Sequence, residues 1–148
     1  MSDRRLGLAL ALLALAGLAI SGYLIYVHYA GIKPICTGGG GCEKVQTSHY
    51  AKLAGIPVAV LGAVGYALIL AASQLPGEAA RIATAALALV GFGFSAYLTY
   101  RELFTIDAIC QWCVASAVVM TALAVLSSLR LLRAPAAQEA PPAQQPAQ

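Results

Sequence analysis

Charge is scarce in this chain. Of its 148 residues six are acidic and nine are lysine or arginine, 10% in all, while 60% are hydrophobic. Mean hydropathy is +0.78. A soluble domain carries about 25% charged residues, so too few are present to coat a water-facing surface, and the natural solvent is lipid. The net charge of +3 comes without a basic stripe, which leaves nucleic-acid binding without its electrostatic footprint. Aromatics are also few, and Ala, Leu, Gly and Val fill the apolar runs. Such small residues suit close helix packing in membranes. Cysteine is limited to Cys36, Cys42, Cys110 and Cys113. Four thiols allow two disulfides, a metal site or redox chemistry. A small secreted fold stapled by disulfides is excluded together with the soluble class.

The apolar runs set the architecture. About 20 apolar residues cross a bilayer, and four runs approach or exceed that length. The first covers about residues 6–28, behind Arg4 and Arg5. A cleaved signal peptide is the alternative, but the run is too long and ends Ser-Gly-Tyr-Leu-Ile-Tyr-Val-His, a poor cleavage site. The second span is about 57–75, entered through Gly55-Ile56-Pro57. Proline suits the first turn of a helix. Pro76-Gly77-Glu78 is a turn, the third span is about 79–103, and the fourth is about 110–132. Residues 134–148, rich in Pro, Ala and Gln, read as a disordered tail. The expected fold is an all-α, polytopic four-helix bundle. A loop with a short helix (Cys42 to Tyr50) joins spans 1 and 2.

Four spans put the Cys36–Cys42 loop and the Cys110–Cys113 pair on one face, whichever way the chain is oriented. Arg4, Arg5, Arg81, Arg130 and Arg133 lie toward the other face, against Lys33, Lys44, Lys52 and Arg101 beside the thiols. The positive-inside rule then puts both termini in the cytoplasm. Disulfides persist outside the cytoplasm, which favours the same orientation.

Cys110-Gln-Trp-Cys113 is a Cys-x-x-Cys motif at the start of an apolar run, where a helix N-terminus favours the thiolate. Cys36 and Cys42 are separated by Thr37 and the glycines Gly38 to Gly41, a backbone free enough for the two sulfurs to meet. Two dithiol pairs on one face suggest a relay, in which exchange passes two electrons through a mixed disulfide. The loop pair suits a soluble partner. The helix-anchored pair suits a lipid-soluble two-electron acceptor, a quinone. A structural zinc site held by four thiolates is the alternative. Trp112 reads as an interfacial anchor, Arg101 and Glu102 as a snorkelling interfacial pair, and His49 as a solvated loop residue. Asp107 reads as a cap for the fourth helix, and Gly91-Phe-Gly93-Phe94 as helix packing.

The order Cys36…Cys42-Glu-Lys-Val-Gln-Thr-Ser48-His-Tyr50…Gly55-Ile-Pro57, Tyr97-Leu…Glu102-Leu-Phe and Cys110-Gln-Trp-Cys113-Val-Ala-Ser116-Ala resembles the vitamin K epoxide reductase family, its bacterial members above all. The resemblance runs from about Gly7 to Leu132. It implies a four-helix bundle enclosing a quinone beside the Cys-x-x-Cys. Cys36 would take electrons from a thioredoxin-like protein and Cys42 would pass them to Cys110. Cys113 would reduce the quinone, and Ser48 would position the loop beside it. In bacteria the outcome is disulfide formation in exported proteins, at the inner membrane with the cysteines on its extracytoplasmic side.

Two departures carry information. No fused thioredoxin-like domain follows, so the partner is expected to be a separate protein. Where the animal enzymes have an asparagine and a tyrosine, this chain has Val58 and Ala117. A respiratory quinone of the ubiquinone or menaquinone type is therefore expected rather than vitamin K epoxide. Ser48, Val58, Trp112 and Ala117 are the candidate quinone-pocket residues. The same relay run outward as a reductase is the other direction open to this chemistry.

Overall fold

The computed structural model describes residues 2–37 and 41–138 and is mostly helical. Gly38 to Gly40 of the expected glycine-rich loop lie outside the described residues. The helices are α1 (Asp3–Ala30), the short α2 (Gly41–Thr47), α3 (Val58–Gln74), α4 (Glu78–Arg101) and α5 (Gln111–Gln138). Between α2 and α3 run a 3-10 turn (His49–Ala51) and a two-stranded antiparallel hairpin. Its strands β1 (Lys52–Leu53) and β2 (Ile56–Pro57) pair Lys52 with Pro57 and Leu53 with Ile56.

α1 begins where the Ser2 hydroxyl accepts a bond from the Arg5 N–H. It ends at Gly31, whose φ of 65° is the left-handed conformation glycine adopts without strain. The buried residues of α1 are Leu6, Leu10, Ala14, Gly17, Ser21, Leu24 and Val27, a stripe repeating every three or four residues. The opposite face carries Leu8, Leu12, Leu15 and Tyr26, all exposed. A helix apolar on all sides, with one face turned away from the protein, belongs in a membrane.

Three helical segments, Asp3–Ala30, Glu78–Ile106 and Gln111–Ala134, are long and apolar enough to cross a membrane. The second span expected from the sequence is α3, whose 17 residues stand at the lower limit of the range of about 17–25. α1 and α4 each pack against both α3 and α5, so the four long helices form a closed ring. Leu10, Ala14, Tyr66, Ile69, Ala88, Met120, Leu123 and Ala124 form its core. Gly17 admits the Tyr66 ring, which a Cβ there would strike. Gly91 does the same for Met120, the packing role expected of that glycine. The end remote from the cysteines is tied by Asp3, which bonds Arg130 (3.0 Å) and Arg81 (3.5 Å). Arg130 also donates to the Ser73 carbonyl.

The structure differs from the sequence reading at three places, the first two of them beside the cysteines. α4 does not end at an interfacial charge pair; it widens into a π-turn, Glu102–Ile106. Asp107 closes that turn in a left-handed conformation, its N–H bonded to the Glu102 carbonyl, instead of capping the next helix. α5 runs on to Gln138, into the stretch read as tail; the residues after 138 lie outside the described ones.

Candidate thiol relay site

The two cysteine pairs meet at one end of the ring. Cys36 and Cys42 are joined in a disulfide, with Cα atoms 6.1 Å apart, while Cys110 and Cys113 are free thiols. Cys42 and Cys110 are both fully buried, in one cluster with Val45 and Ile106. Gly41 makes this approach possible. A Cβ on it would press into the carbonyl oxygen of Ile109, the residue before Cys110.

The two residues inside the Cys-x-x-Cys hold the Cys36 loop. The Gln111 side-chain oxygen accepts from the Thr37 hydroxyl (2.7 Å) and N–H (3.2 Å). The Gln111 amide and the Trp112 indole N–H both donate to the Ile35 carbonyl, at 3.3 and 2.8 Å. The Tyr23 hydroxyl accepts the Ile35 N–H at 2.9 Å, and its ring lies 4.6 Å from that of Trp112. Cys36 is thus bracketed by residues fixed to the start of α5.

Cys110 sits just ahead of α5, and its carbonyl accepts the first intrahelical bond, from Val114 N–H (3.0 Å). Its sulfur therefore faces the unpaired N–H groups of a helix N-terminus. The Cys110 thiol is lowered from its ordinary range to about 7. The hydrogen bond from the Cys113 thiol is the largest cause, and the N–H groups of Cys113 and Trp112 add to it. Burial and the Glu102 carboxyl oppose it. The Gln46 amide makes long N–H···S contacts to Cys110 (4.0 Å) and Cys113 (3.8 Å). On the other side the buried Glu102 carboxylate accepts the Cys110 N–H at 3.2 Å.

Below Cys113 a cavity of about 410 Å³ opens between the helices. Leu24, Val58, Leu61, Leu87 and Phe94 supply apolar walls, and Gln46, Ser48, Tyr50, Arg101, Glu102 and Ser116 add polar groups near the thiols. The size and the pattern of apolar walls with few polar groups suit a small-molecule site. A flat quinone head with an apolar tail matches that donor set.

Of the pocket residues read from sequence, Ser48 and Val58 line this cavity. Trp112 and Ala117 do not. Trp112 is spent on the Cys36 loop, and Ala117 is replaced at the wall by its neighbour Ser116, which the Tyr66 hydroxyl contacts at 2.7 Å. Arg101 and Glu102 are not a pair. Arg101 lies over the rings of Tyr50 and Tyr97, whereas Glu102 is 5% exposed beneath Cys110. Gln46 and Gln111 were not singled out, because a glutamine in a polar segment carries no signal by itself. The zinc alternative requires four free thiolates together; two of them are bonded to each other here.

Residues 8–128 match the model of the vitamin K epoxide reductase family. The chain belongs to this family. It is a family of oxidoreductases, and thiol–disulfide chemistry in a membrane fits the helices and the cysteines described above. The matched span of the vitamin K epoxide reductase family covers α1 through most of α5 and takes in all four cysteines, Glu102 and the cavity walls.

Proposed function

We propose that this protein is a four-span inner-membrane enzyme of bacteria that reoxidises a separate periplasmic thioredoxin-like protein. It passes the electrons to a membrane quinone and so supports disulfide formation in exported proteins. In this reading α3 is the fourth crossing, both termini are cytoplasmic, and the cysteines lie outside. The observation that carries it is the burial of Cys42 and Cys110 in one cluster while Cys113 reaches the cavity.

Each step is a thiol exchange. A partner thiolate attacks Cys36, and Cys42 leaves as a thiolate; the partner's second thiolate closes its own disulfide and frees Cys36. Cys42 then attacks Cys110 in the Cys110–Cys113 disulfide, releasing Cys113. Cys36 attacks Cys42, and Cys110 departs. Its low pKa makes it a good leaving group. The products are a loop disulfide and a reduced helix pair, the same pairing found in the fold described above. A quinone supplies the two-electron, two-proton sink. Cys113, Ser48, Val58 and the neighbouring walls would hold its head beside the thiols.

Replacing Cys110 or Cys113 by alanine is expected to abolish quinone reduction in purified membranes, followed by quinol absorbance with a thioredoxin-like dithiol as donor. Full activity in either variant sinks the relay.

A further inference from the structure

Disulfide formation at the Cys-x-x-Cys leaves one proton to be moved inside the protein. Glu102 is the group placed to move it. It belongs to the π-turn that ends α4, where the wider turn brings the carboxyl under the start of α5. One oxygen accepts the Cys110 N–H at 3.2 Å, and Glu102 and Cys113 line the same cavity. Among the described residues no ion pair reaches it. The nearest cation by sequence, Arg101, is turned to Tyr97 (3.2 Å) and Tyr50 (3.5 Å). An ionisable group in a membrane helix without a counter-ion is costly to hold and marks a functional position. Packing explains little here, since a glutamine of the same shape would accept the Cys110 N–H equally well.

We propose that Glu102 is a catalytic proton carrier that takes the Cys113 thiol proton as the disulfide forms and delivers it into the cavity. The proposal rests on the relay reading. With Cys110 ionised, closing the Cys110–Cys113 bond releases two electrons and the single proton of Cys113. Glu102 accepts that proton as general base and then, as general acid, gives it to the acceptor oxygen. The acceptor's second proton comes from solvent at the loop face and replaces the one Cys110 lost on ionising. Two electrons and two protons thus reach a quinone of any ring type.

The test is Glu102→Gln, which keeps the hydrogen bond to Cys110 N–H and removes the titrating group. Quinone reduction is expected to fall about 100-fold or more in kcat, with KM for the protein donor unchanged and the Cys36–Cys42 disulfide still reduced by a small dithiol. A second readout needs no turnover. The infrared difference spectrum between dithiol-reduced and diamide-oxidised protein should contain a carboxyl C=O band that shifts in D₂O and is missing from E102Q. A wild-type spectrum without such a band overturns the proposal, even if E102Q folds poorly. So does a kcat within twofold of wild type. Quinone reduction that survives Cys113→Ala would instead overturn the relay itself, so the two failures are distinguishable.

Discussion

The two cysteine pairs are built to opposite plans. Cys36 and Cys42 belong to a loop and a seven-residue helix, and their setting is borrowed: Gln111, Trp112 and Tyr23 hold the backbone around Cys36. Cys110 and Cys113 stand at the head of a 28-residue helix, where position and electrostatics come from the helix itself. Each pair nevertheless has one fully buried sulfur and one half-buried one. The buried members, Cys42 and Cys110, share one buried cluster. Cys36 sits among exposed loop residues and Cys113 lines the cavity. In the proposed relay the loop pair meets a protein and can be mobile, whereas the helix pair meets a small molecule in lipid and gains from being fixed.

The largest effect that separates the pairs is expected from Cys36→Ala. Turnover with a thioredoxin-like donor should fall to background while turnover with a small dithiol persists. Retained protein-donor activity would mean that Cys36 is not the entry thiol. Gly41→Ala should come next. The added methyl strikes the Ile109 carbonyl, and overpacking of this kind costs about 1–3 kcal/mol. Electron transfer from loop to helix pair, followed by stopped-flow quenching and thiol labelling, should slow roughly tenfold, since about 1.4 kcal/mol is a factor of ten. An unchanged rate would show that α2 can shift freely.

Gln111→Ala should act more mildly. It removes the bonds to Thr37 and Ile35, exposed contacts near the low end of about 0.5–1.5 kcal/mol each. Hydrogen exchange at Thr37 N–H should speed up severalfold while amides inside α5 do not change; equal loosening of both would deny that the clasp belongs to the loop.

The smallest effect is a pH slope. A Cys110 thiol lowered to about 7 loses its proton at lower pH than an ordinary thiol, so above that pH the reduced helix pair binds one proton fewer. The pair's potential, titrated in a variant lacking Cys36 and Cys42, should fall by about 59 mV per pH unit below pH 7 and about 30 mV above it. A single slope through pH 8 would place the thiol at an ordinary value.

The sequence makes some of this legible and hides the rest for physical reasons. Apolar run length located the four long helices, because helix rise and bilayer thickness are fixed. The alternation of the four apolar runs put both cysteine pairs at one end. Trp112 and Ala117 lie off the cavity wall, and Arg101 and Glu102 turn to different partners. Successive helical residues differ by about 100°, so only the packed core decides that Ser116 and not Ala117 faces the cavity. Arg101-Glu102 reads as interfacial charge until the π-turn rotates the glutamate beneath Cys110, and no residue in Glu102–Ile106 announces that turn.

The full burial of Cys42 and Cys110 has a further consequence, which concerns leakage. Electrons on a thiol are lost to any disulfide or peroxide that can touch it. For the proposed relay, the sulfur-to-sulfur joint has no surface that glutathione-sized oxidants can reach. Short-circuits are confined to its two terminals, one open to a protein and the other to the cavity. In that reading the protein resembles an insulated conductor, with selectivity for the final oxidant set by what can pass between the helices.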